Sequence, residues 1–201
     1  MSKLIDVTLT LILEPHTAIL DLIRESVKGG VTAIVLRDKF FNDRDFYEQA
    51  LLIKGVCREL NVSLIINDRV DVAIAIEANG VHIGKTDIPY HAVRKILPEN
   101  MSIGCTAESL EDVIEAEKYE LDYLGIIPVF PSLNKPNLKQ PFGLEGLRKA
   151  RDLSRHRLLA IGGVKPENAK AIKEAGADGL AVASAICRAA SQYEAARTFR
   201  F

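Results

Sequence analysis

The sequence predicts an α/β protein folded as a TIM (β/α)8 barrel, one domain over residues 1–201, and three observations predict it. Short apolar, β-branched runs alternate with stretches of helical periodicity, giving eight strand-then-helix units. The runs lack polar alternation, as expected of strands buried on both faces in a parallel sheet. Polar residues follow nearly every run, and a barrel gathers all eight strand ends at one face. A doubly wound open sheet shares the alternation but would spread those residues along an edge. The chain of 201 residues lies near the lower limit for this fold.

The first strand is expected within Ile5–Leu13, ended by Pro15; Ala18, Ile19, Leu22, Ile23 and Val27 then recur at helical spacing until Gly29-Gly30. Thr32–Leu36 is the second strand and runs into Arg37-Asp38-Lys39. A long helix starts near Asp43, with Ala50, Leu51, Ile53, Val56, Cys57 and Leu60 as its inner face. Ser63–Asn67 is the third strand, stopping abruptly at Asn67-Asp68-Arg69. Val70–Ala75 is a short helix and Gly80–Ile83 the fourth strand, followed by Gly84-Lys85-Thr86-Asp87. The second half predicts a helix over Ala92–Leu97, a strand over Ser102–Cys105 ending in Thr106, a helix from Leu110, and a strand over Tyr123–Ile127. A polar loop, 128–142, is long enough to be a lid. Helix Leu144–Leu153, strand Leu158–Ile161, a Gly162-Gly163 turn, helix Pro166–Ala175 and strand Leu180–Val182 complete the pattern, and Ala183-Ser184 opens a terminal helical stretch.

Composition narrows the function. Lys+Arg number 26 against Asp+Glu 27, so no basic excess points to nucleic acid or an anionic membrane. The apolar runs are too short to span a bilayer, and no leader-like cleavage site follows the first residues, so a cytoplasmic protein is expected. The three cysteines and four histidines are scattered, without metal-ligand spacing.

Loops after the seventh and eighth strands of a barrel commonly bind phosphate through exposed backbone N–H groups. Gly162-Gly163 and Ala183-Ser184 stand there, although a glycine pair can also serve turn geometry alone. Asp68 and Asp87 follow consecutive strands, and two carboxylates plus substrate phosphates are a common way to hold Mg²⁺. Each acid could instead cap the helix after it. Arg37, Lys39 and Lys135 would lie at the same face and supply a diphosphate with cations. One phosphate site, one metal–diphosphate site and no evident nucleophile suggest a diphosphate leaving one substrate while a second, phosphorylated substrate takes its place.

These segments resemble the thiamine phosphate synthase / TenI family. The resemblance is carried by Leu36-Arg37-Asp38-Lys39, Ile65-Ile66-Asn67-Asp68-Arg69, Val81-His82-Ile83-Gly84-Lys85-Thr86-Asp87, Pro128-Val129-Phe130-Pro131-Ser132 with Lys135, Ile161-Gly162-Gly163-Val164 and Val182-Ala183-Ser184-Ala185. It implies that hydroxymethylpyrimidine diphosphate is joined to thiazole phosphate, with diphosphate released. It also implies Mg²⁺ on Asp68 and Asp87, the diphosphate on Arg37, Lys39, Asn67 and Lys135, and the thiazole phosphate on Gly163, Ala183 and Ser184. Thr106 stands where the family has a serine beside the reacting pyrimidine. The family usually has glutamine at the position of Val35, and a Thr-x-Thr-Lys loop where this chain has Ser132-Leu133-Asn134-Lys135. Two other readings share the scaffold. One is a thiazole tautomerase, whose histidine is Pro128 here; the other is a non-catalytic thiazole-phosphate-binding protein. The expected partners are small molecules, with neither nucleic acid nor membrane, and homo-oligomerisation stays open.

Overall fold

The computed structural model describes residues 5–14, 16–38, 41–131 and 140–200. Eight parallel strands close into a barrel: β1 (Leu9–Ile12), β2 (Ala33–Leu36), β3 (Ser63–Asn67), β4 (Gly80–Ile83), β5 (Ser102–Ala107), β6 (Tyr123–Ile126), β7 (Leu158–Ile161) and β8 (Gly179–Val182). Each pairs with the next, and β8 returns to β1 in the register Leu9↔Leu180. Closure leaves no unpaired edge.

Helices fill the crossovers: α1 (Ile19–Gly29), α2 (Asp43–Glu59), α3 (Val70–Ala75), α4 (Tyr90–Ile96), α5 (Leu110–Ala116), α6 (Gly143–Leu153) and α7 (Pro166–Glu174). The terminal helical stretch is two pieces, α8 (Ser184–Cys187) and α9 (Gln192–Arg197), the second of which packs on α1. Side-chain caps start several of them. Asn42 accepts the Asp45 N–H at 3.0 Å before α2, and Ser109 accepts that of Asp112 before α5.

Strand parity divides the interior into two apolar layers. Ile34, Leu36, Leu64, Ile66, Val81 and Ile83 face the helices, while Ala33, Val35, Ile65, Leu159, Ile161 and Ala181 fill the barrel. The first strand is shorter than the run Ile5–Leu13 predicted. Ile5 and Val7 instead join the cluster inside the barrel, and the Arg157 guanidinium holds the Ile5 carbonyl at 2.6 Å. Apolar residues that plug the barrel's closed end and residues of a strand look alike in sequence. Leu51, expected on the inner face of α2, is 42% exposed. Ala50 and Ile53 hold that face, and Leu51 lies a 100° step off it.

Interior space is set by pairs of neighbours rather than single residues. Gly104 on β5 pairs with Tyr123 on β6, and a Cβ at Gly104 would fall within 2.5 Å of the Tyr123 ring. Gly104 thus makes room for a fully buried aromatic inside the barrel.

Candidate active site at the barrel mouth

The carboxyl ends of the strands surround a cavity of about 1260 Å³. Val35, Arg37, Asn67, Asp68, Asp87, Thr106, Gly163, Ala183 and Ser184 all line it. Lys39, Ser132, Asn134 and Lys135 lie outside the described residues.

Asp68 adopts φ 63°, a left-handed conformation that costs a non-glycine residue energy and concentrates at functional sites. Its N–H donates to the His82 carbonyl at 2.9 Å, extending the β3–β4 ladder one residue beyond Asn67, while Arg69 N–H turns back to the Asn67 carbonyl at 2.7 Å. The chain therefore reverses at the strand's last residue, which keeps Asn67 and Asp68 at the rim. Arg69 leaves the site: its guanidinium bridges Asp71 and Asp43 at 2.7 Å each and stands over the Phe46 ring.

Asp87 closes its own loop. Its Oδ2 accepts the Gly84 N–H at 2.7 Å. The alternative helix-cap role fits neither acid, because the N-cap residues of α3 and α4 are Arg69 and Pro89 and neither makes a side-chain cap bond. Among the described residues no group of three His, Cys, Asp or Glu side chains is placed to hold a metal. Two carboxylates on one wall suit Mg²⁺, which keeps waters and takes substrate oxygens for its remaining positions.

The glycine turn after β7 has a geometric cause as well as a possible ligand. Gly162 and Gly163 have φ 91° and 66°, and a Cβ on either would meet Pro128 or Phe130. The 128–131 segment runs beside β7, with Val129 N–H on the Ile161 carbonyl at 2.9 Å and Phe130 N–H on that of Gly162 at 3.1 Å. Asn168 Nδ2 holds the Gly163 carbonyl at 2.9 Å from the start of α7. The far end of the 128–142 loop returns to its beginning, Phe142 N–H donating to the Pro128 carbonyl at 2.9 Å.

Several site groups escaped the sequence reading. Lys85 and Arg188 line the mouth, tied to Asp112 at 2.6 Å and Glu14 at 2.8 Å. Ile127, Leu159 and Ile161 join Val35 as an apolar floor. His82 reaches the cavity from β4, its Nδ1 3.0 Å from the Tyr123 hydroxyl and its Nε2 2.8 Å from Thr106 Oγ1. The available signal was parity. His82 is the one polar side chain in a four-residue strand whose alternate positions, Val81 and Ile83, are apolar and face the helices.

Nucleophilic thiol chemistry is poorly served here. Burial pushes Cys187, the cysteine at the mouth, up to about 11 and Cys105 up to about 12. The mouth offers oxygen ligands, cations and an apolar floor, a combination suited to holding a polyanion whose bond to carbon breaks without covalent help from the protein.

Comparison with known proteins points to one family. The family described as thiamine monophosphate synthase matches residues 9–186. The thiamine-phosphate synthase of Albidiferax ferrireducens is 44% identical over 180 residues, 90% of this chain and 82% of that protein. That of Syntrophomonas wolfei is 42% identical over 183 residues, 91% and 88% of the two chains. The solved thiamine phosphate pyrophosphorylase of Pyrococcus furiosus superposes with a TM-score of 0.87 at 36% identity, covering 96% of this chain and 93% of its own.

Proposed function

This chain belongs to the thiamine monophosphate synthase family, and from that premise we propose that it joins hydroxymethylpyrimidine diphosphate to thiazole phosphate as a cytoplasmic enzyme of thiamine biosynthesis. The supporting observation is the pairing of Asp68 and Asp87, neither used as a helix cap, on the wall of a single cavity. The Gly162-Gly163 turn after β7 and Ala183-Ser184 after β8 line the same cavity, where barrels of this kind commonly hold phosphate.

In this reading the pyrimidine-side C–O bond breaks with its electron pair going to the departing diphosphate. The thiazole nitrogen lone pair then forms the new C–N bond. No proton has to move, so the lack of a general base is no obstacle. Asp68 and Asp87 would hold Mg²⁺, which when bound neutralises charge on the leaving diphosphate. Arg37 and the Asn67 amide bind diphosphate oxygens from the ends of β2 and β3, with Lys39 and Lys135 assigned to the same task. The Gly163 turn, Ala183 and the Ser184 hydroxyl receive the thiazole phosphate, and Thr106 sits beside the pyrimidine. Val35, Ile127 and Ile161 exclude water from the reacting carbon, which protects an electrophilic intermediate from hydrolysis.

The test supplies both substrates with Mg²⁺ and measures thiamine phosphate and diphosphate in equal amounts. No product, with thiazole phosphate still bound, would sink the transferase reading and leave a binding protein. Val35, in place of the family's usual glutamine, is the residue that makes the experiment necessary.

A further inference from the structure

We infer that Tyr123 and His82 are positioning residues that orient the Thr106 hydroxyl, locking it as a hydrogen-bond donor toward the substrate. Three strands contribute to this chain of groups: Tyr123 from β6, His82 from β4 and Thr106 from β5. Tyr123 is 1% exposed, and among the described residues its hydroxyl makes one hydrogen bond, to His82 Nδ1. A buried O–H left without an acceptor is disfavoured, so the phenol places its hydrogen on that nitrogen. Burial also disfavours ionisation of the phenol, which keeps it a donor.

The consequence passes along the ring. An imidazole whose Nδ1 accepts carries its hydrogen on Nε2 when neutral. Nε2 then donates to Thr106 Oγ1 across 2.8 Å. A hydroxyl whose oxygen already accepts from one side has its own hydrogen to give elsewhere, and Thr106 lines the cavity. The arrangement is stiff. The ring of Tyr123 lies 5.6 Å from that of His82 at 16°, and Gly104 provides the space that seats it. In the reverse tautomer Thr106 would point its hydrogen at His82 and present a lone pair to the site, so the donor beside the pyrimidine would be lost.

The link from orientation to turnover rests on the transferase reading; the link from Tyr123 to the tautomer does not. Two measurements separate them. The first is the ring ¹⁵N spectrum of histidine-labelled protein, with the His82 signals identified by their loss in His82→Gln. Nδ1 should be bare and Nε2 protonated in the native protein, with the proton redistributed toward Nδ1 in Tyr123→Phe. The second is kinetic. Tyr123→Phe should lower kcat about tenfold, the worth of one hydrogen bond, with both KM values within about twofold. Thr106→Ser should retain turnover and Thr106→Val lose it. Adding Tyr123→Phe to Thr106→Val should cost nothing further, because the group being oriented is gone. A proton on Nδ1 of His82 in the native protein, whether in the other neutral tautomer or in an imidazolium, overturns the inference, and so do losses that multiply. Wild-type protein that forms no thiamine phosphate overturns the transferase reading instead, and the imidazole spectrum then decides this inference alone.

Discussion

Adding one carbon inside the barrel should show how tightly the site is seated. In Gly104→Ala the new Cβ falls 2.5 Å from Tyr123 Cε1 and closer to Cζ. Ordinary contact needs about 3.4 Å or more, so the ring must move by roughly 1 Å, and buried side chains move little in close-packed interiors. Tyr123 has nowhere exposed to go, being 1% accessible and hydrogen-bonded to His82 at 3.0 Å. Overpacking of this kind costs typically about 1–3 kcal/mol, and the enclosed position argues for the upper end. For a chain of this size, about 3 kcal/mol corresponds to a melting temperature lowered by roughly 6–12 °C. Differential scanning calorimetry measures it. The clash involves only the far edge of the ring, which a leucine lacks. Tyr123→Leu alone should therefore destabilise by leaving a cavity, while Gly104→Ala/Tyr123→Leu should be more stable than the sum of the two losses predicts. Gly104→Ala melting within about 1 °C of wild type would refute the packing argument, as would strict additivity in the double variant.

Three further outcomes are expected, two at the site and one for the buried cysteines. Asp87→Asn keeps an oxygen for the Gly84 N–H but removes the charge, so it should fold normally and need over about 100-fold more Mg²⁺ for half-maximal turnover; equal Mg²⁺ dependence in a titration would dispose of the metal assignment. Val35→Gln should lower the pyrimidine diphosphate KM about tenfold by restoring an amide at the cavity wall, and an unchanged KM would mean another group already recognises that ring. Cys57, Cys105 and Cys187 are pushed by burial up to about 12, 12 and 11. Since the thiolate exists only as pH approaches those values, native protein at pH 8.5 should take up essentially no iodoacetamide by mass spectrometry, while urea-unfolded protein should take up three equivalents. Rapid native labelling with loss of activity would point to a reactive thiol.

Much of the fold was legible in the chain itself. The strands Ser63–Asn67, Gly80–Ile83 and Leu158–Ile161 have the bounds read from their apolar runs, because a strand buried on both faces admits almost nothing else. The rim residues were legible for a related reason. A parallel strand ends where polarity begins, so Arg37, Asn67 and Asp68 marked their own positions, whereas β5 continues through Thr106 to Ala107, past the end at Cys105 that its polarity predicted. Ile5 and Val7 were misread as strand because an apolar residue plugging a barrel satisfies the same pattern as one lining it.

Local pattern thus determined the number of strands, their order and which residues stand at their ends, since each depends on neighbours within a few positions. Tertiary structure alone decided the rest. The pairing of β1 with β8 turned a list of strand ends into one cavity. The register of β5 against β6 set Gly104 beside Tyr123, and Tyr123 brought His82 to Thr106. Those contacts join residues on different strands, beyond the few positions that a local pattern spans. Asp68 shows the division well: its place at a strand end was readable, but the left-handed turn that holds it there depends on a carbonyl of the neighbouring strand.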